Sequence, residues 1–269
     1  MRTFAVESRR YAQFERLSRA AGLAHAFSTR PRNLNARARP ASERERQDMA
    51  RDLGFDPARI HYCAQAHGAR IAIVPPAEAG RRSADVGERS ADVGERSVHV
   101  GGRCEGCDGV ITDQPGAALM TFSADCPLML VFDPRRRAVG LAHGGWRGVV
   151  AGVTRRLVET MRVELGCQPA DLLAGIGPSA GPESYEVRED VYEAAAGLPQ
   201  RDALFPRRDG RMCFDLWAAN RAQLESAGVR PEAIELAGVC TMSEAELFYS
   251  FRRDGPGCAH FALMAGLLE

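Results

Sequence analysis

The chain has 269 residues, 45% of them hydrophobic and 26% charged, enough to bury a sizeable core and too apolar for global disorder. Its 35 basic residues balance 35 acidic ones, so no net field favours nucleic acid or an anionic membrane as partner. Every basic side chain is Arg, which excludes a catalytic lysine. The opening MRTFAVESRRYAQFERLSRAAG is charged throughout, without the apolar centre of a secretory signal, and no apolar run is long enough to span a bilayer. A cytoplasmic protein is expected. Its eight cysteines are then expected as thiols, metal ligands or a nucleophile, with Cys63, Cys167, Cys213, Cys240 and Cys258 read as small buried hydrophobes.

In chain order, PASERERQDMARDLG predicts a helix with Ser42 as cap, Glu45 completing a capping box and Gly54 at its end. RIHYCAQAHGARIAIVPP predicts two strands meeting at a turn at His67–Gly68. Residues 82–102 repeat a seven-residue unit three times, as RSADVGE RSADVGE RSVHVGG. One Val per unit and a recurrent Gly cannot make a coiled-coil seam, so an exposed insertion is expected. DGVITDQPGAALMTF reads as strand, Pro-Gly turn and strand, and PLMLVF and AVGLAH as a hairpin. VVAGVTRRLVETMRVELG places Val150, Val153, Leu157, Met161 and Leu165 on one helical face with Gly166 as stop. FDLWAANRAQLESAGV predicts a helix capped by Asp215 and closed by Gly228, and AIELAGVC and ELFYSF read as late strands. Hairpins mixed with helices point to an α+β fold with mixed and antiparallel strands.

The hairpin carries the chemistry. Asp133 and Pro134 suit the first two positions of a β-turn, and a turn pairing 133 with 136 places Cys126 opposite His143. Opposed residues of an antiparallel pair stand close enough to share a metal or a proton. His67, at the AHG turn, is a candidate third ligand. Two His and one Cys suit zinc, with copper also acceptable, and three protein ligands leave a fourth position for water or substrate. Asp125 beside the thiol is a candidate general base. Arg147 in GGWRG, ahead of a helix expected from about Val149, is a candidate anion-binding group.

The segments AQAHG, SADCPLMLVFDP, GLAHGGWRG, IGPSAGPESYEV, DLWAANRAQL and FYSFRRDG together resemble the laccase-domain family. This is the YfiH-like group named both as multi-copper polyphenol oxidases and as purine nucleoside phosphorylases. The likeness runs in order from about Phe27 to the chain's end. It implies one layered α/β/β/α domain over 1–269, with 82–102 as an insertion, and one zinc on His67, Cys126 and His143. It also implies a small-molecule enzyme acting on purine nucleosides with phosphate, with adenosine deamination, methylthioadenosine phosphorolysis and copper-dependent phenol oxidation as further activities. That neither nucleic acid nor membrane is expected as a partner rests on the balanced charge and the lack of a long apolar run. Leu263 stands where the family pattern has Arg, and the Gly-rich loop after FSTR is shortened to PRNLN.

Three other readings compete. Cys126 and His143 without metal would make a cysteine hydrolase or amidase. Cys104 and Cys107, in RCEGC with His99 upstream, would make a separate metal or redox site, although one such pair supplies only two ligands. A non-catalytic module would hold a ligand on the zinc.

Overall fold

The computed structural model of the chain describes residues 1–34, 40–75, 97–98 and 102–269. Among these residues the strands form two seven-stranded sheets and a small hairpin. From edge to edge, the first sheet runs Arg2–Val6, Arg9–Gln13, Leu23–Ser28, Phe261–Leu267, Ala118–Ser123, Ile60–Cys63 and Arg103–Cys104. The second runs Ile234–Leu236, Leu173–Ile176, Leu128–Asp133, Ala138–His143, Gly109–Thr112, Ile71–Ile73 and Ser97–Val98. Both sheets mix antiparallel and parallel neighbours.

The period-two alternation of the strands builds the layers. Leu128, Leu130 and Phe132 from the second sheet, and Phe261, Leu263, Ala265 and Leu267 from the first, meet in one core between the sheets. The opposite face of the second sheet, through Met129, Val131 and Ala142, packs on Val153, Leu157 and Met161 of the Val153–Leu165 helix and on Leu224 of the Leu216–Ser226 helix. The opposite face of the first sheet, through Met120, Ala262 and Met264, packs on Met49 and Ala50 of the Pro40–Asp52 helix. The result is the expected α+β architecture in α/β/β/α layers. Leu263 is wholly buried between the sheets.

Several expectations need correcting. The first helix opens on Pro40, whose fixed φ suits the first helical position, so Ser42 lies inside the first turn instead of capping it. The two strands around His67–Gly68 form, but in different sheets, and the turn carries the chain from one to the other. The single long helix expected after GGWRG is two helices, Trp146–Val150 and Val153–Leu165, because Gly152 takes a left-handed φ of 79° between them. ELFYSF is not a strand: 244–250 is turn and irregular backbone leading into the short Phe251–Asp254 helix. Of the 82–102 repeat only 97–98 and 102 are among the described residues, with Ser97 and Val98 pairing in parallel with Ala72 and Ile73; the remainder, and His99, lie outside them.

Candidate active site

The turn from 64 to 68 is held by a neighbouring segment. Ala64 N–H donates to the Cys104 carbonyl at 2.8 Å and Gln65 N–H to the Cys107 carbonyl at 3.1 Å. The next three amides, of Ala66, His67 and Gly68, all donate to the Asp108 carboxylate, at 3.1, 2.9 and 2.7 Å. The Gln65 side chain also exchanges two 2.8 Å hydrogen bonds with the Phe122 backbone, tying the turn to the strand that leads to Asp125 and Cys126. These bonds hold Gln65 and His67 at φ of 50° and 61°, left-handed values that non-glycine residues adopt only when their surroundings enforce them.

Asp108 serves both sides of the site. Its carbonyl accepts the His143 N–H at 2.7 Å, and its Oδ1 lies 3.3 Å from His143 Nδ1. Asp108 is fully buried. Burial alone would raise its pKa, but the His143 ring and the Gly68 and His67 amides hold it below the ordinary carboxylate value. With Asp108 taking Nδ1, the opposite nitrogen of His143 is left for a partner inside the site.

The hairpin register differs from expectation by two residues. Asp133 pairs with Ala138 and Leu128 with His143, so Cys126 does not stand opposite His143. The reason is the turn: Pro134 to Arg137 make a four-residue loop in which Asp133 Oδ1 accepts the Arg135 and Arg136 amides, and Arg137 takes φ of 50°. Gly144 N–H donates to the Pro127 carbonyl at 2.8 Å, and the same register carried one pair further sets Cys126 against Gly145. There a side chain is intolerable: a Cβ on Gly145 would fall 2.8 Å from Cys126 Sγ and 3.2 Å from His143 Cε1. The missing side chain lets the thiol settle against the imidazole. Gly144 is similarly confined, by the Asn220 amide.

His143 and Cys126 therefore meet by a different route from the one the sequence suggests. Burial opposes charge on His143, yet Cys126 and Asp108 together push its imidazole up to about 9. The His67 ring stands edge-on to His143 with centroids 5.0 Å apart. Burial and the charges of His143 and Arg147 lower the His67 pKa, against the pull of Asp108. Arg147 is exposed at the rim with its guanidinium 4.1 Å from the centre of the Trp146 ring. Expected just ahead of a helix, it lies inside one, the single-turn Trp146–Val150 helix.

Asp125 sits at φ of 104°, another enforced conformation, and is nearly buried. Its Oδ1 accepts the Thr241 hydroxyl at 2.6 Å, its Oδ2 accepts the Arg252 amide at 2.8 Å, and its carbonyl accepts the Ala180 amide at 2.8 Å. Arg252 in turn lies 4.7 Å from the centre of the Tyr185 ring, whose phenol is pushed up to about 12, chiefly by burial and then by Cys126. Asp108, Gln65, Tyr185 and Arg252 were not singled out from the sequence. Asp108 carried one legible signal, an acid directly ahead of the apolar GVIT strand.

The donor set of His67, Cys126 and His143 is chemically suited to zinc, and the carboxylate behind His143 is the usual support of a ligating imidazole. Among the described residues, however, no group of three or more His, Cys, Asp or Glu stands at metal-binding spacing. His67, whose ring stands beside that of His143, and Cys126, whose thiol lies next to the same imidazole, are the residues that with His143 would hold such an ion.

Residues 31–267 match the family model described as multi-copper polyphenol oxidoreductase laccase, and the chain belongs to that family. It is 32% identical over 212 residues to purine nucleoside phosphorylase YlmD of Geobacillus stearothermophilus, a match covering 78% of this chain and 72% of that one. It is 40% identical over 154 residues to a purine nucleoside phosphorylase of Bacteroides thetaiotaomicron, covering 56% of this chain and 57% of the relative, so that match spans little more than half of the relative's length. The crystal structure of YlmD from Geobacillus stearothermophilus superposes with a TM-score of 0.78 at 28% identity, covering 93% of each chain.

Proposed function

We propose that the chain is a zinc-dependent purine nucleoside phosphorylase whose centre is His67, Cys126 and His143. The observation that supports the reading is that the His67 and His143 rings stand 5.0 Å apart, with Asp108 accepting the His67 amide and facing His143 Nδ1 and with Cys126 beside His143, in a chain whose relatives bear the name purine nucleoside phosphorylase. Zinc held there would supply a Lewis acid with a free fourth position, and copper would be accepted by the same donors.

The chain's own residues divide the work. Arg147, at the rim and close enough to His67 to lower its pKa, offers a guanidinium to the incoming phosphate. Phosphorolysis joins a phosphate oxygen to C1′ of the ribose and breaks the bond from C1′ to the purine, which leaves needing a proton. Asp125, fixed at both oxygens yet retaining unused lone pairs, is the carboxyl assigned to take a proton from the attacking phosphate or from water and pass it to the departing purine. Tyr185 and Arg252 wall the side of the site next to Asp125. Adenosine deamination, methylthioadenosine phosphorolysis and phenol oxidation belong to the same centre as further proposed activities.

Zinc-replete protein incubated with inosine or adenosine and phosphate should release free purine base and ribose 1-phosphate in equal amounts, well beyond one equivalent per chain. Inert nucleosides under those conditions would refute the reading, and product stopping at one equivalent would favour a binding module.

A second reading has its own observation. The His143 imidazole raised to about 9 beside Cys126 is the electrostatic arrangement of a cysteine nucleophile with its base. Protein lacking bound metal, labelled by iodoacetamide at Cys126 faster than at any other thiol while keeping its activity without zinc, would establish the hydrolase instead. No helix among the described residues is long and apolar enough to cross a membrane.

A further inference from the structure

The Cys104–Cys107 pair is not used by the centre just described, yet it is built into the segment that holds it. All eight cysteines are thiols, and Cys104 Sγ and Cys107 Sγ lie 2.9 Å apart, against about 2.05 Å for a disulfide bond. Gly106, at φ of 65°, bends the two intervening residues so that both sulfurs fall on the same, inner side. Both thiols are buried, but Glu105 and Gly106 between them are exposed. Arg103–Cys104 is moreover a two-residue strand at the edge of its sheet, the kind of element that opens locally at low cost.

The segment 104–108 is also the template of the His67 turn. Counting from Ala64 to Gly68, five successive backbone amides donate into Cys104, Cys107 and Asp108, and His143 N–H donates to the Asp108 carbonyl. A covalent change between Cys104 and Cys107 therefore acts on the backbone next to Asp108 and, through it, on the turn that carries His67. Cys63, in register with Cys104 on the adjacent strand, is the one competing thiol partner on that strand pair.

We propose that Cys104 and Cys107 are a reversible dithiol–disulfide site whose oxidation rigidifies the 64–68 turn. Two S–H bonds break and one S–S bond forms. The two electrons reduce a low-molecular-weight disulfide such as oxidised glutathione to two thiols, which also take up the two protons. The site reacts slowly, because a thiolate must form first and the hydrogen bond with Cys107, together with burial, raises the Cys104 pKa, as burial does that of Cys63.

The test uses the full chain with oxidised glutathione in excess, then acid quench, alkylation and peptide mass analysis. The expected result is a 104–107 peptide lighter than its dithiol form by about 2 Da, resistant to alkylation and restored by dithiothreitol. C63S should still form this disulfide, whereas C104S and C107S should not. Hydrogen exchange of the 64–68 amides should slow on the order of tenfold in the oxidised protein, with the Arg2–Val6 strand unchanged. Recovery of Cys104 linked to Cys63, oxidation confined to Cys126 with Cys104 and Cys107 still alkylated, or protection of the pair by a bound metal would each overturn the proposal. So would unchanged exchange at 64–68 in protein shown to be oxidised. None of these readouts depends on nucleoside turnover, so this proposal and the phosphorylase reading fail separately.

Discussion

Asp108 is a single side chain with four obligations: three turn amides and the imidazole of His143. Asn in its place has the same shape but one acceptor oxygen where the carboxylate has two, and its amide nitrogen would face a donor. D108N should lose about 1–3 kcal/mol of stability, the range for buried donors deprived of their partner. It should also weaken zinc binding about 10–100-fold, the usual consequence of removing the carboxylate behind a ligating His. Differential scanning calorimetry and zinc titration against a chromophoric chelator measure the two effects. Zinc affinity unchanged in a folded D108N would show that His143 does not depend on this carboxylate.

At the level of elements, strands and helices were legible from their apolar runs and helical faces, while the α/β/β/α layering was legible only through the family resemblance. Leu128–Asp133, Ala138–His143 and Phe261–Leu267 are apolar along nearly their whole length because both faces of each strand are buried, so they read as strands but do not fix their own register. What escaped was set by backbone conformation at particular residues. The hairpin register slipped by two because Arg137, which sequence gives no reason to place at positive φ, takes a left-handed conformation and lengthens the turn. His67, Cys126 and His143 could be singled out as candidate ligands from residue type and order, while Asp108 could not, since nothing local says that a carboxylate will gather amides from forty residues earlier. The break at Gly152 is testable by sign. In a continuous helix Gly-to-Ala would stabilise by up to about 1 kcal/mol, but at a φ of 79° it should destabilise by about 1–2 kcal/mol. The nearest obstacle to the new Cβ is the flexible end of Arg155, so strain and not collision is measured. Urea unfolding of G152A gives the answer, and a higher midpoint would mean that the two helices can fuse.

For the molecule as a whole, pH acts through a group far from the site. His25 lies on the Leu23–Ser28 strand and is 1% exposed; its Nε2 accepts the Phe14 N–H at 3.1 Å, so the ring is neutral, and burial together with the Arg2 charge lowers its pKa to about 3. The unfolded chain takes up a proton on this imidazole below about 6.5, and the folded chain does not until near pH 3. A depressed folded pKa means that its contribution is complete above pH 6.5 and is lost as the pH falls toward 3. Within that window the slope from one such group approaches about 1.4 kcal/mol per pH unit. His67, with a lowered pKa of its own, adds a slope of the same sign; His143, raised to about 9, is protonated in both states there and contributes nothing, its effect falling between 6.5 and 9, where stability drops as pH rises. Asp52, held below its usual value by Arg9 and Tyr11 against the opposing effect of burial, acts only below about pH 4. In H25Q the amide oxygen can still accept from Phe14, but no proton is gained on unfolding. Its unfolding free energy should therefore fall less steeply than wild type between pH 6 and 4.5, by close to the slope of one proton. Urea titrations at four pH values in that interval measure the difference, and parallel profiles would mean that His25 is protonated in the folded chain.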